Sequence, residues 1–444
     1  MNGDILYTTD SLCPVCLKRI PARYLRKDSK VYFYKECPEH GPFSVFFWDD
    51  ADLYEEWLKQ SIRAPAVKNG KPKKDGCPFD CGLCEEHHSG TCTVILEITY
   101  RCNMDCRICF ADANRNRFDP DLDTIRRMYG TALRANRFCS VQLSGGEPTV
   151  RDDLPEIIRM GKELGVIHLQ VNTNGLRIAQ DLPYLQKLKD AGVDLIYLQF
   201  DGTDDEIYRA IRGREMMEIK KQAIANCEAL GIGVLLVPVV IPELNLHRLG
   251  EIIAFAKSHI PTVKGVHFQP LSFFGRYPDQ APPDECRCGL SDVLHALDEQ
   301  CGGELKMEHF VPRKQFDSHC DFSSSYYLDE DGKLIAISDK TQNCDDTEKT
   351  DFVAKTNRYT DKRWRFQPEG YSDKPLIRFA MRTMTHSFSV SGKGFQDVWN
   401  IDLGRLRGCC VHAVTDRGEL VPFCAFHLTS ANGKRLYENG EEIL

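Results

Sequence analysis

The chain has 444 residues, 42% of them hydrophobic and 27% charged, which is the composition of a globular protein with room for two or three domains. A net charge of −8 argues against a nucleic-acid partner, which would need a basic face. The sequence shows no secretory signal and no apolar run long enough to cross a bilayer, so we expect a cytoplasmic, non-transmembrane protein.

Residues 1–66 form the first predicted unit, with strands near 30–34 and 43–48 and a helix over 51–60. Its candidate metal ligands have the two-knuckle spacing of zinc-ribbon and rubredoxin-like sites: Cys13, Cys16, Cys37 and His40. A module this small needs a cross-link to stabilise its fold, so the expected occupant is a structural zinc or iron ion. A role in electron entry or substrate gating is the alternative.

Residues 67–92 begin as a linker rich in Lys, Gly and Pro and continue into a second cysteine group. That group is Cys77, Cys81, Cys84 and Cys92. Four thiolates suit a closed 4Fe-4S cluster that transfers electrons, and zinc held by the same residues is the alternative. The neighbouring His87 and His88 are interpreted as incidental. The basic stretch 68–74 is a candidate docking site for an electron donor, or simply a solvated linker.

Residues 93–281 alternate between apolar strands and amphipathic helices. The predicted strands are 94–99, 140–143, 167–171, 195–200, 234–240 and 265–269. The predicted helices are 121–137, 153–164, 182–191, 204–230 with a break near Gly213, and 246–258. This repetition predicts an α/β fold whose parallel sheet has its site at the carboxyl ends of the strands. Periodicity does not decide between an open sheet and a partly closed barrel.

Three cysteines, Cys102, Cys106 and Cys109, follow the first strand of this region directly. Three thiolates can hold three irons of a 4Fe-4S cluster and leave the fourth iron open. The amino and carboxylate groups of S-adenosylmethionine (SAM) can chelate that iron and place its sulfonium for one-electron cleavage. A structural zinc site that lacks its last ligand is the alternative.

Further motifs follow the next strands in order, and together they resemble those of the radical SAM superfamily over residues 94–270. They are Ser144-Gly145-Gly146-Glu147-Pro148, Asn174 within residues 171–175, and Gln199-Phe200-Asp201-Gly202 followed by Arg212. The resemblance implies that Gly145 and Gly146 let the backbone approach SAM and that Glu147 accepts a hydrogen bond from its amine. A Gly-Pro turn with a solvated Glu is the alternative.

The same resemblance implies further SAM contacts, with two departures from the usual pattern. Asn174 is expected at the cofactor, and Gln199 or Arg212 is expected at the ribose or carboxylate of SAM. Gln199 replaces the usual Ser, and a helix-cap Asp with a surface Arg is the alternative for Asp201 and Arg212. Ile108 stands where an aromatic residue is usual, so Phe110 is expected to stack against SAM in its place.

Residues 282–444 lose the alternation and are expected to form a C-terminal auxiliary-cluster and substrate region. A second auxiliary cluster is predicted from Cys409 or Cys410 together with Cys424 and Cys320. Buried free thiols are the alternative, as we expect for Cys139 and Cys227, which lie within apolar elements of the core.

Three cysteine motifs together resemble those of one branch of the superfamily. They are Cys-Pro-x-Cys near the N-terminus, Cys-Pro-x-x-Cys-Gly-x-Cys before the central cysteines, and Cys-Cys in the tail. That branch contains the archaeal tetraether lipid synthases and shorter radical SAM (seleno)proteins of the TrsS type. The resemblance implies a rubredoxin-like module, a partial (β/α)6 TIM-like barrel and one or two auxiliary 4Fe-4S clusters. The lipid synthases join unactivated alkyl carbons.

The functional hypothesis is an anaerobic enzyme that cleaves SAM to a 5′-deoxyadenosyl radical. The radical removes hydrogen from an unactivated carbon, for C–C or C–S bond formation on a small-molecule or lipid-like substrate. Its electron donor is expected to be a ferredoxin or flavodoxin, and contact with a membrane surface stays open. Modification of a peptide or protein is the first alternative, and a non-catalytic zinc-binding or electron-transfer protein is the second.

Overall fold

A computed structural model describes most of the chain. The described residues are 3–60, 70–114, 118–277, 284–312, 317–337, 357, 362–368, 370, 372–438 and 441–442. The predicted domain borders at 66/67 and 281/282, and Lys68 of the basic stretch, lie outside these residues. None of the helices in the described part is both long and apolar enough to cross a bilayer.

The N-terminal module is a four-stranded antiparallel sheet closed by one helix. Its elements are β1 (Asp4–Leu12), β2 (Arg19–Lys27), β3 (Lys30–Cys37), β4 (Gly41–Trp48) and α1 (Ala51–Leu58). Asp50 caps α1 by accepting a hydrogen bond from the Leu53 backbone N–H. The two strands and the helix predicted here are confirmed, and β1 and β2 are additional.

The module is bound to the tail of the chain by buried polar contacts. Lys35 is almost fully buried and donates to the carbonyl oxygens of Leu12 and Val398, each at 2.7 Å. Tyr24 donates to Asp402 across 2.9 Å. A buried ammonium needs such partners to offset its lost hydration, so these contacts fix how the module sits on the tail.

The rest of the chain is built on one twelve-stranded sheet. Its strands are β5 (Thr93–Thr99), β6 (Ser140–Gly145), β7 (His168–Thr173), β8 (Leu195–Gln199), β9 (Gly233–Val237), β10 (Val239–Val240), β11 (Val263–Pro270), β12 (Asp321–Leu328), β13 (Leu334–Ala336), β14 (Ser387–Lys393), β15 (Val411–Val414) and β16 (Leu420–Pro422). Their order is β13-β12-β14-β11-β9-β8-β7-β6-β5-β15-β16, with β10 beside β11. In the described residues this path has two ends, so the sheet is not a closed ring.

The helices follow the strands as predicted. They are α2 (Leu122–Ala135), α3 (Leu154–Glu163), α4 (Leu176–Gln180), α5 (Leu182–Ala191), α6 (Asp205–Arg212), α7 (Met217–Leu230), α8 (Leu249–Ser258), α9 (Leu290–Gln300), α10 (Pro375–Thr385), α11 (Leu403–Arg407) and α12 (Phe423–Phe426). The predicted break near Gly213 is confirmed: this residue ends α6 with φ of +77°, which favours glycine. The α/β fold class is therefore confirmed.

Strands of the C-terminal region, residues 282–444, take part in the core sheet. β14 pairs in parallel with β11, and β15 pairs in parallel with β5. The tail thus extends the core sheet at both edges. Each pairing joins strands that are far apart in the sequence, so it lies outside the local βα periodicity that a sequence analysis detects.

Candidate active site

The cysteine loop between β5 and α2 carries three half-buried thiols. Burial raises the pKa of Cys102 to about 12, and the nearby charges of Glu147, Cys109 and Cys106 act in the same direction. The three thiols are therefore near enough for three thiolates to repel one another. Binding of metal cations would remove that repulsion, so the donor set fits an iron cluster.

Hydrogen bonds hold this loop in shape without using the thiols. The Asn114 side chain accepts from the Cys102 backbone N–H at 2.8 Å and donates to the Met104 carbonyl at 3.1 Å. Cys109 and Arg276 exchange two backbone hydrogen bonds, and the Arg276 side chain donates to the Cys106 carbonyl at 3.0 Å. The loop is thus preorganised by its backbone, as a metal site requires.

The two glycines at the end of β6, Gly145 and Gly146, are required by the end of β5 and the loop that follows it. A Cβ on Gly145, where φ is +119°, would lie 2.2 Å from the Thr99 carbonyl oxygen. A Cβ on Gly146 would lie 2.2 Å from the Arg101 carbonyl oxygen. Glycine is therefore needed at both positions because another group comes close to the backbone, as predicted. In the structure that group is the backbone of residues 99–101, whereas the prediction named SAM.

Glu147 is buried, so the alternative of a solvated turn residue is wrong. One carboxylate oxygen accepts from the Thr149 backbone N–H at 3.0 Å, from its hydroxyl at 2.6 Å and from the Thr173 hydroxyl at 2.7 Å. The other accepts from the Asn174 backbone N–H at 2.7 Å. Burial raises the pKa of Glu147, and these hydrogen bonds oppose that shift.

Asn174 joins this carboxylate to the cysteine loop. Its side-chain amide donates to Asn103 at 2.7 Å, and Asn103 lies between the first two cysteines of the loop. Its side-chain oxygen accepts from the Leu176 backbone N–H at 3.0 Å. The end of β7 is thereby connected directly to the predicted cluster site.

Arg212 and Asp201 form a buried ion pair beside Cys106. Arg212 donates to both carboxylate oxygens of Asp201, at 2.7 and 3.0 Å. Burial raises the pKa of the Cys106 thiol, and the nearby charge of Arg212 opposes that increase. The side-chain amide of Gln199 also donates to Asp201. The alternative of a surface Arg with a helix-cap Asp is wrong, since Asp204 caps α6.

Lys220 is a site residue that the sequence analysis missed. Its ammonium is buried and donates to the Asn174 carbonyl at 2.6 Å and to the Gln199 side-chain oxygen at 2.9 Å. Burial lowers the pKa of Lys220 to about 7. The detectable signal was a lysine on the apolar face of α7, in helical register with Ala223, Ile224 and Cys227.

The N-terminal ligands form a compact site of the predicted composition. The ligand atoms of Cys13, Cys16, Cys37 and His40 all lie within 4.8 Å of one another, and no other such set occurs in the described ranges. The sulfurs of Cys16 and Cys37 are 4.0 Å apart, close to the value of about 3.8 Å that tetrahedral Zn–S bonds require. These donors fit a single structural ion.

Comparisons with known proteins agree with this geometry. The family model described as the radical SAM superfamily matches residues 96–256, and one described as the HMPTM N-terminal zinc ribbon domain matches residues 5–49. The chain is 34% identical to a 7,8-dihydro-6-hydroxymethylpterin dimethyltransferase of Methanocaldococcus jannaschii, over 94% of this chain and 93% of that protein. The chain belongs to the radical SAM superfamily. It is therefore an enzyme.

More distant relatives cover parts of this radical SAM enzyme. A probable GTP 3′,8-cyclase of Sulfolobus acidocaldarius is 28% identical over 49% of this chain and 67% of its own. Among solved structures, Streptococcus suis SuiB bound to S-adenosylmethionine is 17% identical with a TM-score of 0.39, covering 48% of this chain and 47% of that one. Membership of the superfamily implies a 4Fe-4S cluster and SAM, for which the cysteine loop supplies the thiols.

Phe110 contacts the tail of this radical SAM enzyme. Its ring packs edge-on against His427 with the ring centroids 5.1 Å apart, and at 5.8 Å from Phe423. The ring remains 39% exposed. Stacking of Phe110 against SAM stays a prediction, and the structure adds a second role in joining the cysteine loop to α12.

The cysteine groups flanking the radical SAM core are only partly arranged as predicted. Burial raises the pKa of the Cys77 thiol, and the nearby charges of Cys81 and Cys84 act in the same direction. Cys92 does not remain in this group: it forms a disulfide with Cys410, with the Cα atoms 5.3 Å apart. These two residues, assigned to separate clusters by the sequence analysis, are neighbours because β15 pairs with β5.

The tail cysteines Cys320, Cys409 and Cys424 are partly or fully buried and are near enough for their charges to affect one another. Burial raises the pKa of Cys424, and the charges of Cys409 and Cys320 contribute in the same direction. Arg405 donates to the Cys320 sulfur at 3.1 Å, and Lys393 opposes the increase for all three thiols. Positive side chains around thiols favour the thiolate form that iron requires. Of the adjacent pair, Cys409 joins this group.

His87, which the sequence analysis interpreted as incidental, is buried against the tail of the chain. Its ring lies 2.7 Å from the Cys409 carbonyl oxygen and 3.3 Å from the His412 ring nitrogen. Burial lowers the pKa of His87 to about 4. The basic stretch nearby is largely neutralised, because Lys71 and Lys73 pair with Glu419 and Glu86.

Replacement of Lys220 by Met should raise the KM for SAM about 10- to 100-fold, the usual cost of losing a group that orients ligands. Two buried acceptors, on Asn174 and Gln199, would lose their donor. Lys221→Met is the matched control, since Lys221 is exposed and pairs with Glu218. Initial rates of 5′-deoxyadenosine formation at varied SAM give the comparison. Equal KM values for the two variants would contradict a positioning role.

Proposed function

We propose that this enzyme forms a carbon–carbon bond at an unactivated carbon, by attaching a methyl group to a heterocyclic substrate of the dihydropterin type. Similarity along nearly the whole chain to a dihydropterin dimethyltransferase carries this proposal. A methyl group reaches a nitrogen or oxygen by polar displacement, whereas an unactivated C–H bond must first be broken. In the proposed reaction the 5′-deoxyadenosyl radical takes the hydrogen atom and becomes 5′-deoxyadenosine. The substrate radical then takes the methyl group of a second SAM with one further electron from the donor, and S-adenosylhomocysteine leaves. A radical site on a methylating enzyme therefore indicates attack at carbon.

The proposal assigns each residue group of the site a part in this reaction. Cys102, Cys106 and Cys109 hold the 4Fe-4S cluster, and cluster and SAM together supply a 5′-deoxyadenosyl radical when bound. Gly145, Gly146 and Glu147 orient the SAM amine. Asn174, Gln199 and Arg212 contact its carboxylate or ribose, with Phe110 against the adenine. Lys220 fixes Asn174 and Gln199 through the hydrogen bonds described above.

Two auxiliary 4Fe-4S clusters form part of the proposal. Cys77, Cys81 and Cys84 hold the first, with Cys92 as fourth ligand once its disulfide with Cys410 is reduced. Cys320, Cys409 and Cys424 hold the second, with Cys410 beside it. What supports the second cluster is that the positive charges of Lys393 and Arg405 oppose the increase that burial causes in the pKa of Cys320. The N-terminal site holds zinc in this proposal, and a ferredoxin or flavodoxin supplies the electron.

A lipid-like substrate is the second candidate. The arrangement of cysteines in the head, middle segment and tail favours it, because the tetraether lipid synthase branch has that pattern. It would use the same radical to form a C–C or C–S bond on an alkyl chain. Peptide modification is a third possibility that the same assay decides.

The test is anaerobic reconstitution followed by SAM cleavage with each substrate class. Three clusters predict about twelve irons per chain, with one zinc in addition. Dithionite-reduced protein is then supplied with SAM and 6-hydroxymethyl-7,8-dihydropterin, a phospholipid or a peptide. We expect deoxyadenosine formation to rise at least about tenfold with the dihydropterin alone, together with a product heavier by one or more methyl groups. Stimulation by the phospholipid alone would overturn the substrate assignment.

A further inference from the structure

Arg405, on α11, is a buried cation to which the proposed reaction gives no part. The residue is only 7% exposed. Its Nη2 atom donates to the Cys320 sulfur at 3.1 Å and to the His319 carbonyl at 3.0 Å. Its Nε atom lies 3.3 Å from a carboxylate oxygen of Asp317. Burying a charge is costly, so a guanidinium held against a thiol needs an explanation.

Asp402 fixes the position of this cation. It caps α11, because one carboxylate oxygen accepts from the backbone N–H groups of Gly404 and Arg405, at 2.8 and 3.2 Å. That oxygen also accepts from the Thr9 hydroxyl at 2.6 Å, and the other accepts from the Tyr24 hydroxyl at 2.9 Å. Thr9 and Tyr24 belong to β1 and β2 of the N-terminal module. The module therefore holds the start of the helix that carries Arg405.

Aromatic side chains of the module enclose the same region. The centroid of the Phe47 ring lies 5.2 Å from the guanidinium carbon of Arg405, within the range of a cation–π interaction. The Tyr54 ring stacks on the His319 ring at 4.1 Å, and a His319 ring nitrogen lies 3.0 Å from the Tyr54 carbonyl oxygen. His319 directly precedes Cys320 in the chain. The N-terminal module thus contacts both the cation and the residue next to the thiol.

A second connection runs from Asp402 to Cys424. The Asp402 backbone N–H donates to the Gln396 side-chain oxygen at 2.9 Å, and the Gln396 backbone N–H donates to the Cys424 sulfur at 3.3 Å. Two of the three tail cysteines thus accept a hydrogen bond at their sulfur, and both donors are connected to Asp402. Hydrogen bonds to the sulfurs and the charge around them set the reduction potential of an iron–sulfur cluster.

We infer that Arg405 is a positioning residue for the cluster proposed at the tail cysteines, called the tail cluster, and that the N-terminal module keeps it in place. Arg405 orients the Cys320 sulfur and raises the reduction potential. This inference rests on the proposed function for the presence of the cluster. A cluster gains negative charge on reduction, so a fixed cation beside one of its ligands favours the reduced form. Nε and Nη1 of Arg405 make no hydrogen bond in the described part of the chain, so the guanidinium has donors available to an anionic group.

A purely structural role is the alternative, and Arg287 provides the comparison. Arg287 is equally buried and donates to both carboxylate oxygens of Asp397, at 3.1 and 3.3 Å. Its guanidinium carbon lies 4.7 Å from the centroid of the Phe273 ring. Within the described ranges it makes no hydrogen bond to a cysteine sulfur. Arg287→Met therefore removes a buried, ion-paired arginine of the same kind without removing a donor from a thiol.

The experiment is a redox titration of the anaerobically reconstituted full chain, followed by electron paramagnetic resonance. The signal of the tail cluster is the component that Cys424→Ala removes. Arg405→Met is expected to shift the reduction equilibrium of this component by about tenfold toward the oxidised form, or about 59 mV for one electron, because it removes a charged hydrogen bond. Arg405→Lys keeps the charge and should recover part of the shift. Arg287→Met, the matched control, should keep the parental potential.

Tyr24→Phe tests the part that the module plays. It removes one donor from Asp402, so the negative charge of this carboxylate beside Arg405 is less well balanced. We expect a smaller shift of the potential in the same direction. Tyr34→Phe is the matched control, since the Tyr34 hydroxyl donates to Glu36 on the exposed side of the same module, at 3.2 Å. Equal potentials in Tyr24→Phe and the parent would overturn the role of the module.

The outcomes separate this inference from the proposed function. A tail-cluster potential that is the same in Arg405→Met and the parent would overturn the positioning role and leave the proposed cluster intact. If Cys424→Ala removed neither iron nor signal, the tail cluster would be refuted and this inference with it. Loss of about four irons from Arg405→Met alone would support the positioning role, whereas the same loss from Arg287→Met would reduce Arg405 to a structural residue. Tyr24→Phe, the milder change, carries the test if Arg405→Met does not fold.

Discussion

Cys106→Ala is expected to lower 5′-deoxyadenosine formation by at least about 1000-fold, since removing a group that merely orients metal ligands already costs 10- to 100-fold. Cys106 is the middle thiol of the cysteine loop and lies near the charge of Arg212. Without it, only two loop thiols remain for the iron cluster. The assay is anaerobic SAM cleavage with dithionite, measured beside the iron content.

Cys139→Ala is the matched control for this variant. Cys139 is a fully buried thiol directly before β6, and its sulfur contacts the Ala132 carbonyl. It belongs to none of the predicted metal-ligand groups. We expect it to keep parental iron content and parental cleavage. A Cys106→Ala enzyme that converts SAM at the parental rate would refute the assignment of the cluster, and with it the proposed chemistry.

Local sequence patterns predicted the core of this enzyme well, because each βα unit carries its own periodicity and each motif lies at a strand end. Cys102, Glu147 and Asn174 follow β5, β6 and β7, so parallel pairing of these strands brings them to one edge of the sheet. Their proximity follows from topology alone. The sequence therefore predicts that these residues lie near one another, but not which atoms form a hydrogen bond, such as that between Asn174 and Asn103.

Contacts between distant parts of the chain were not predictable in this way. Cys92 and Cys410 are 318 residues apart and meet only because β15 pairs with β5. No spacing rule connects them, so the sequence analysis assigned them to different groups. The same limit applies to His427, which contacts Phe110 of the cysteine loop from the far end of the chain.

Burial of charge was the other feature that sequence patterns did not reveal. Lys220, Arg212 and Asp201 look like surface residues in a helical or turn context, yet all three lie inside the site. A buried charge is costly unless it is paired, and each of these residues has its partner on another element. The partner can be identified only once the fold is known.

Asp201→Leu is expected to lower the free energy of unfolding by about 3–5 kcal/mol, the usual cost of breaking a buried ion pair by removing one partner. The change leaves the Arg212 guanidinium buried beside Cys106 without its counter-charge. It also removes an acceptor of the Val239 backbone N–H, at 3.2 Å. Chemical denaturation followed by circular dichroism measures the effect.

Two further variants separate charge burial from general damage. Asp152→Leu breaks the ion pair between the exposed Asp152 and Arg177. Surface ion pairs contribute little, so we expect the free energy of unfolding to fall by only about 0–1 kcal/mol. The double change Asp201→Leu with Arg212→Met should be more stable than Asp201→Leu alone, because no uncompensated charge then remains in the core. If the double variant were the least stable of the three, packing around Asp201 rather than its charge would hold this side of the site together.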